Sequence, residues 1–133
     1  MNANRALFIL VFAVLTFFSA SGQAQDNIID QVKETIKAGS AKELAKYLNQ
    51  TVDVMIDEKL ETYSKAQAEF VLRDFFKIHP PSEFNIIHKG ESKAGQPFAI
   101  GSYKSGKETY RVFMKIKSVS KTMLVHEIHF SKE

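Results

Sequence analysis

The chain has 133 residues, 44% of them hydrophobic and 25% charged, with 6 glycines and 3 prolines, a composition that excludes collagen-like and wholly disordered chains. It has no cysteine, so disulfides, thiol nucleophiles, cysteine-held zinc or iron–sulfur sites and a lipid on an N-terminal cysteine are excluded as well. The formal net charge of +3 is unevenly spread, with eight basic against eleven acidic residues over 26–88 and nine against four over 89–133.

Arg5 is the only charge before Asp26, and the thirteen residues 6–18 carry one hydroxyl and no charge. At about 1.5 Å per residue such a helix covers ~20 Å, short of the ~30 Å hydrocarbon core, so the run predicts a cleaved signal peptide rather than an anchor. Gly22-Gln23-Ala24 puts small residues where a signal peptidase reads, which places the cut after Ala24 and leaves residues 25–133 as one domain. A chain of that size buries roughly 65% of its unfolded surface, enough for one core without staples. The expected location is periplasmic or secreted, and the lack of cysteine points to a bacterial periplasm or surface. No later apolar run has spanning length, so no transmembrane segment is expected in the mature chain.

Ile28, Ile29, Val32 and Ile36 recur at helical spacing and predict a helix over 26–38, capped by Asp26 or Asn27 and stopped by Gly39. Ser40-Ala41-Lys42-Glu43 has the form of a capping box, and Leu44, Ala45, Tyr47 and Leu48 extend a second helix to about Asn49. Residues 51–57 alternate as a strand does, and 59–63 read as a connector. Ser64-Lys65-Ala66-Gln67 is another capping box, opening a third helix that is apolar over more than half its circumference and ends at Pro80-Pro81. Four strands come next, over 83–89, 98–104, 108–118 and 123–131, and their short connections require antiparallel neighbours.

Strict alternation sorts these strands into two faces. Phe84, Ile86, His88, Phe98, Ile100, Ser102, Tyr110, Val112, Met114, Ile116, Leu124, His126, Ile128 and Phe130 form a nearly apolar face, expected to lie under the helices. The other face carries Lys89, Arg111, Lys115 and Lys117, with Tyr103 and Phe113 among them. A basic, aromatic sheet face suits single-stranded nucleic acid or anionic glycans. Export argues against nucleic acid, and Ile87, Phe113, Met123 and Val125 instead predict a homodimer contact through this outer face.

The order helix, helix, strand, long helix and four-stranded meander resembles the nuclear-transport-factor-2-like fold, also called cystatin-like, in which a curved sheet wraps a long helix into a cone. Tyr63-Ser64-Lys65-Ala66-Gln67-Ala68-Glu69 through Asp74-Phe75-Phe76, with Phe84-Asn85-Ile86-Ile87-His88-Lys89-Gly90 and Tyr110-Arg111-Val112, is similar to a family of short exported bacterial proteins catalogued as a domain of unknown function, 4783. The resemblance implies an α+β fold of three N-terminal helices on a curved antiparallel sheet, a dimer, and an open cone end used as a pocket. It implies no activity. Isomerases of this fold use a first-helix tyrosine and an inward protonated aspartate on a strand. The first helix here has no tyrosine, and no inward position of the last four strands is an aspartate.

His88 and His126 are the only imidazoles on the expected inner face, where they would act as acid and base or begin a metal site. No inward carboxylate is evident to orient them, since Asp53 and Asp57 fall opposite Val52, Val54 and Ile56. His126-Glu127-Ile128-His129 is one residue short of the zinc-protease motif, and on a strand its two histidines point apart, so no metal site is expected. Residues 101–108 begin like a phosphate-binding loop, but Glu108 replaces the hydroxyl residue and a strand replaces the helix.

These patterns predict a non-enzymatic exported domain, without cofactor, that binds a small apolar ligand or a peptide between the long helix and the sheet. Its expected liners are Phe70, Phe84, His88, Tyr110 and His126. Two alternatives stay open: an enzyme of the isomerase, hydrolase or cyclase type using an inward histidine, and an envelope interaction module acting through the outer sheet face.

Overall fold

The computed structural model describes residues 20–133, with side chains from Asn27 onward. Residues 1–19 of the expected leader fall outside the described residues, whereas the expected cut after Ala24 falls within the first helix. Helix α1 spans Ala20–Lys37, starting before the expected cap at Asp26 or Asn27, and buries Ile28, Ile29, Val32 and Ile36 as their spacing requires. Gly39, at φ 66, ends it in the left-handed conformation that suits glycine.

Helix α2 is a single turn, Ala41–Ala45. Ser40 Oγ accepts from the amide of Glu43 at 3.2 Å, but the Glu43 carboxylate turns to Lys46 Nζ at 2.9 Å, so only half of the expected box forms. The helix stops well short of Asn49, because Leu48 already belongs to β1, Leu48–Ile56. Strand β2, Lys59–Ser64, occupies the expected connector. It pairs antiparallel with β1 through a turn on Asp57 and Glu58, both at positive φ. As an almost fully exposed edge strand, β2 carries no apolar period that pattern reading can detect.

Helix α3, Lys65–Ile78, opens with the complete Ser64–Gln67 capping box and buries Ala68, Leu72, Phe75 and Phe76. Then come β3 (Glu83–Glu91), β4 (Pro97–Ser105), β5 (Glu108–Val119) and β6 (Thr122–Lys132), close to their expected bounds. The sheet is curved and six-stranded, in the order β2-β1-β6-β5-β4-β3. It is not wholly antiparallel, because β1 and β6 run parallel. Among the described residues, then, two helices precede the first hairpin and the third comes after it. No helix among them is long and apolar enough to cross a membrane.

Which residues face the helices differs from the faces expected. On β4 the buried set is Ala99, Gly101 and Tyr103, while Phe98, Ile100 and Ser102 face outward. The cause is register: β4 and β5 pair as Ser105 with Glu108 and Tyr103 with Tyr110, so the turn falls on Gly106-Lys107. The odd residues of β4 thus share the face of Tyr110 and Val112, where a β-carbon on Gly101 would stand 2.5 Å from Phe84 Cε1. The register of β3 against β4 slips between Ile86 and His88, leaving Ile87 as the extra residue and moving His88 outward and Lys89 to the helix side. Likewise, β5 against β6 slips between Lys115 and Ile116, so Val125 is buried and His126 becomes the extra residue beside the outward pair Lys115–Glu127. Tyr103, Val125 and Lys89 therefore leave the expected outer face, and His88 and His126 join it.

Candidate functional site

The five expected liners do not converge. Phe84 and Tyr110 are buried in the core, at 0% and 1% exposure. Phe70 is 65% exposed on the far side of α3, with the Arg73 guanidinium 5.1 Å from its ring centroid. His88 and His126 lie on the outer face, for the register reasons above. Between α3 and the sheet, Phe75 packs against Phe130 at 4.4 Å, Tyr110 at 5.2 Å and Tyr103 at 5.6 Å between ring centroids. Aromatic rings of the helix and the sheet thus pack directly on one another here. Three surface grooves of about 540, 410 and 320 Å³ lie elsewhere, and of the five residues only His88 lines any of them, the smallest.

Two arrangements have chemical or recognition potential. At the end of α3, His79 Nδ1 lies 3.1 Å from Glu108 Oε2 and its Nε2 lies 3.3 Å from Tyr110 Oη, while Tyr110 donates to Glu108 Oε2 at 3.2 Å. Lys132 Nζ is 3.6 Å from the other Glu108 oxygen. Tyr103 donates to the His79 carbonyl, and Ser105 Oγ to that of Pro80 at 2.8 Å. Burial pushes the Tyr110 phenol up to about 12, with Asp57 and Glu108 adding to it, so the hydroxyl stays protonated at neutral pH. This is the carboxylate-oriented imidazole that His88 and His126 lack. Sequence reading missed it, although Glu108 and Tyr110 share a strand face two residues apart and His79 directly precedes the double proline. Its position among bonds that fix the helix end to β4 makes it first a clasp.

The outer face holds the second arrangement. His88 pairs with Ile100, Ile100 with Phe113, Phe113 with His129, His129 with Met55, and Met55 with Leu60. One residue from each of the six strands thus forms a continuous row across the sheet. Phe113 and His129 lie 5.4 Å apart between ring centroids, and Phe98 joins Phe113 at 5.8 Å and His88 at 5.7 Å. Asn85, Ser102, Arg111 and Ser131 form a polar row on one side, and on the other the row runs Gly90, Phe98, Lys115, Glu127, Asp53 and Thr62, polar from Lys115 onward. Glu127 lies between Lys115 Nζ at 3.7 Å and His129 Nε2 at 2.7 Å. Among the described residues no three histidine, aspartate or glutamate side chains are grouped to hold a metal ion.

The six-stranded curved sheet with its packed helices is that of nuclear-transport-factor-2-like proteins. An ntf2-like protein of unknown function from Shewanella baltica superposes with a TM-score of 0.65 at 11% identity, covering 87% of this chain and 96% of its own. More specifically, residues 29–131 match the family model described as Domain of unknown function (DUF4783), and the chain belongs to that family. A DUF4783 family protein from Bacteroides uniformis superposes with a TM-score of 0.73 at 30% identity, covering 78% of this chain and 95% of its own. One from Bacteroides fragilis gives 0.72 at 27% identity, covering 77% and 96%. No curated protein matches.

Proposed function

We propose that this protein is an exported, non-enzymatic interaction module that works through the outer face of its sheet, and that its partner there is a second copy of itself. The observation that carries this reading is the row from His88 to Leu60, an aromatic and aliphatic stripe rimmed by polar residues. Export rests on the charge-free run 6–18 behind Arg5.

Self-association is favoured by the arrangement of the strands. The midline of the sheet falls between β6 and β5, with three strands on each side. A two-fold axis along that midline would lay β5 of one copy over β6 of the other. Phe113 would then meet the second copy's His129, and Lys115 the second copy's Glu127. Six strands about 4.8 Å apart and three outward rows give roughly 500 Å² per copy, about 1,000 Å² in all, at the lower limit for a specific interface.

Sedimentation equilibrium of the purified protein and of Phe113→Glu tests the reading. The wild type is expected to sediment as a dimer and the variant as a folded monomer. A monomeric wild type, or a dimeric variant, overturns it.

A further inference from the structure

We infer that the pairing of two copies through this face is released by acid, with His126 as the group that takes up the proton. The inference rests on the homodimer reading above and adds its regulation. Three of the four histidines of the chain, His88, His126 and His129, lie on the outer face, and their surroundings differ.

His129 Nε2 lies 2.7 Å from a Glu127 carboxylate oxygen, although not in hydrogen-bonding geometry, so an acidic group stands directly beside that ring. His88 lies beside the edge groove with Asp30, Lys33 and Lys89, at the margin of the face. His126 is the extra residue of the β6 bulge, and its Nδ1, like Nε2 of His129, is buried with no hydrogen-bond partner among the described residues; unlike His129 it has no carboxylate in ion-pair contact. The charged groups facing it are Lys115 and Lys117 on β5, Glu127 on its own strand and Asp53 on β1. Glu127, the adjacent carboxylate, is already engaged by His129 and Lys115. An imidazolium at 126 would therefore have two lysines beside it and its nearest carboxylate already shared.

Even in one copy, burial holds the His126 ring below the ordinary histidine range, with Lys115 and Lys117 adding to the effect and Glu127 and Asp53 opposing it. A second sheet packed about 10 Å away removes the water that would solvate the charge. The pair of copies then binds fewer protons than the two separated copies, so acidification favours separation. Below the pH at which His126 of the separated copy takes up its proton, each such proton raises the dissociation constant up to about tenfold per pH unit, and the two copies carry one His126 each.

Sedimentation equilibrium of the purified wild type, His126→Gln and His129→Gln at about pH 7.5 and about pH 5.5, with circular dichroism at both, tests this. The expected result is a wild-type dimer at neutral pH and a folded monomer in acid, with His126→Gln dimeric at both and His129→Gln still acid-released. A wild-type dimer at both pH values, or acid release that persists in His126→Gln, overturns the inference and leaves the homodimer reading standing. Loss of secondary structure in the acid wild-type sample also overturns it, since release would then be unfolding. A wild type monomeric at neutral pH removes the homodimer reading itself.

Discussion

The hydroxyl of Tyr110 lies 3.3 Å from Nε2 of His79, joining the start of β5 to the end of the long helix across thirty-one residues of sequence. Beside it, Tyr103 donates to the carbonyl of the same His79. The two tyrosines are both inward and in register with one another: Tyr103 satisfies the end of a helix that Pro80-Pro81 prevents from continuing, and Tyr110 holds the His79 ring.

Tyr103→Phe is expected to cost about 1–3 kcal/mol, because it leaves the His79 carbonyl, partly buried at the helix end against a fully buried ring, without its donor. Tyr110→Phe is expected to cost less, about 0.5–1.5 kcal/mol, because His79 and Glu108 keep each other at 3.1 Å. Urea midpoints of the two variants check the order; a costlier Tyr110→Phe would show that the phenol, not the helix-end carbonyl, governs the clasp.

Alkaline pH provides a second check. The Tyr110 phenol is raised from 10 to about 12 in the folded chain, so its stability contribution is fully present below pH 10 and is lost as pH rises from 10 through 12. Burial raises Tyr103 as well. Thermal melts across that window should fall steeply for the wild type and less steeply for Tyr110→Phe. Parallel curves would remove the assignment to this residue.

Gly101→Ala is expected to destabilise by about 1–3 kcal/mol, since the new methyl would meet the Phe84 ring at 2.5 Å. Combining it with Phe84→Leu should cost less than the sum of the two single changes, because the smaller side chain makes room. Strictly additive costs from chemical denaturation would mean that the ring is not what the methyl encounters.

Phe70 and Phe84 share an expected role as pocket liners but not an environment, and the costs of truncating them should separate widely. Phe84→Ala is expected to cost about 3–5 kcal/mol as a core truncation, and Phe70→Ala to stay within about 0.5 kcal/mol. Equal losses in denaturant titrations would contradict their burial.

Acid provides a further test in the single copy. His126 titrates below its ordinary value, so its contribution is fully present above about pH 6.5 and is lost as pH falls through the folded value. In the monomeric Phe113→Glu background, adding His126→Gln should flatten the acid limb of the stability curve. An unchanged limb would place the loss on other groups.

Local chemistry is legible in the amino-acid order. The spacing of Ile28, Ile29, Val32 and Ile36, the Ser64–Gln67 box, the double proline and the four-strand meander each depend on neighbours a few residues away, and each predicted its element. Strand β2 escaped because an exposed edge needs no apolar period. The candidate sites depended on which face a side chain takes, and that was settled by contacts distant in sequence. An extra residue at Ile87 and another at His126 have no compositional mark, yet each reverses the parity of the strand residues beyond it. Gly101 turns inward because β4 pairs with β5 through a turn on Gly106-Lys107, which sets Gly101 beside Val112 and under the Phe84 ring. His79 meets Glu108 and Tyr110 only once α3 has packed on the sheet. A strand's period is two, so a single inserted residue exchanges core for surface, and only the assembled sheet records where the insertion falls.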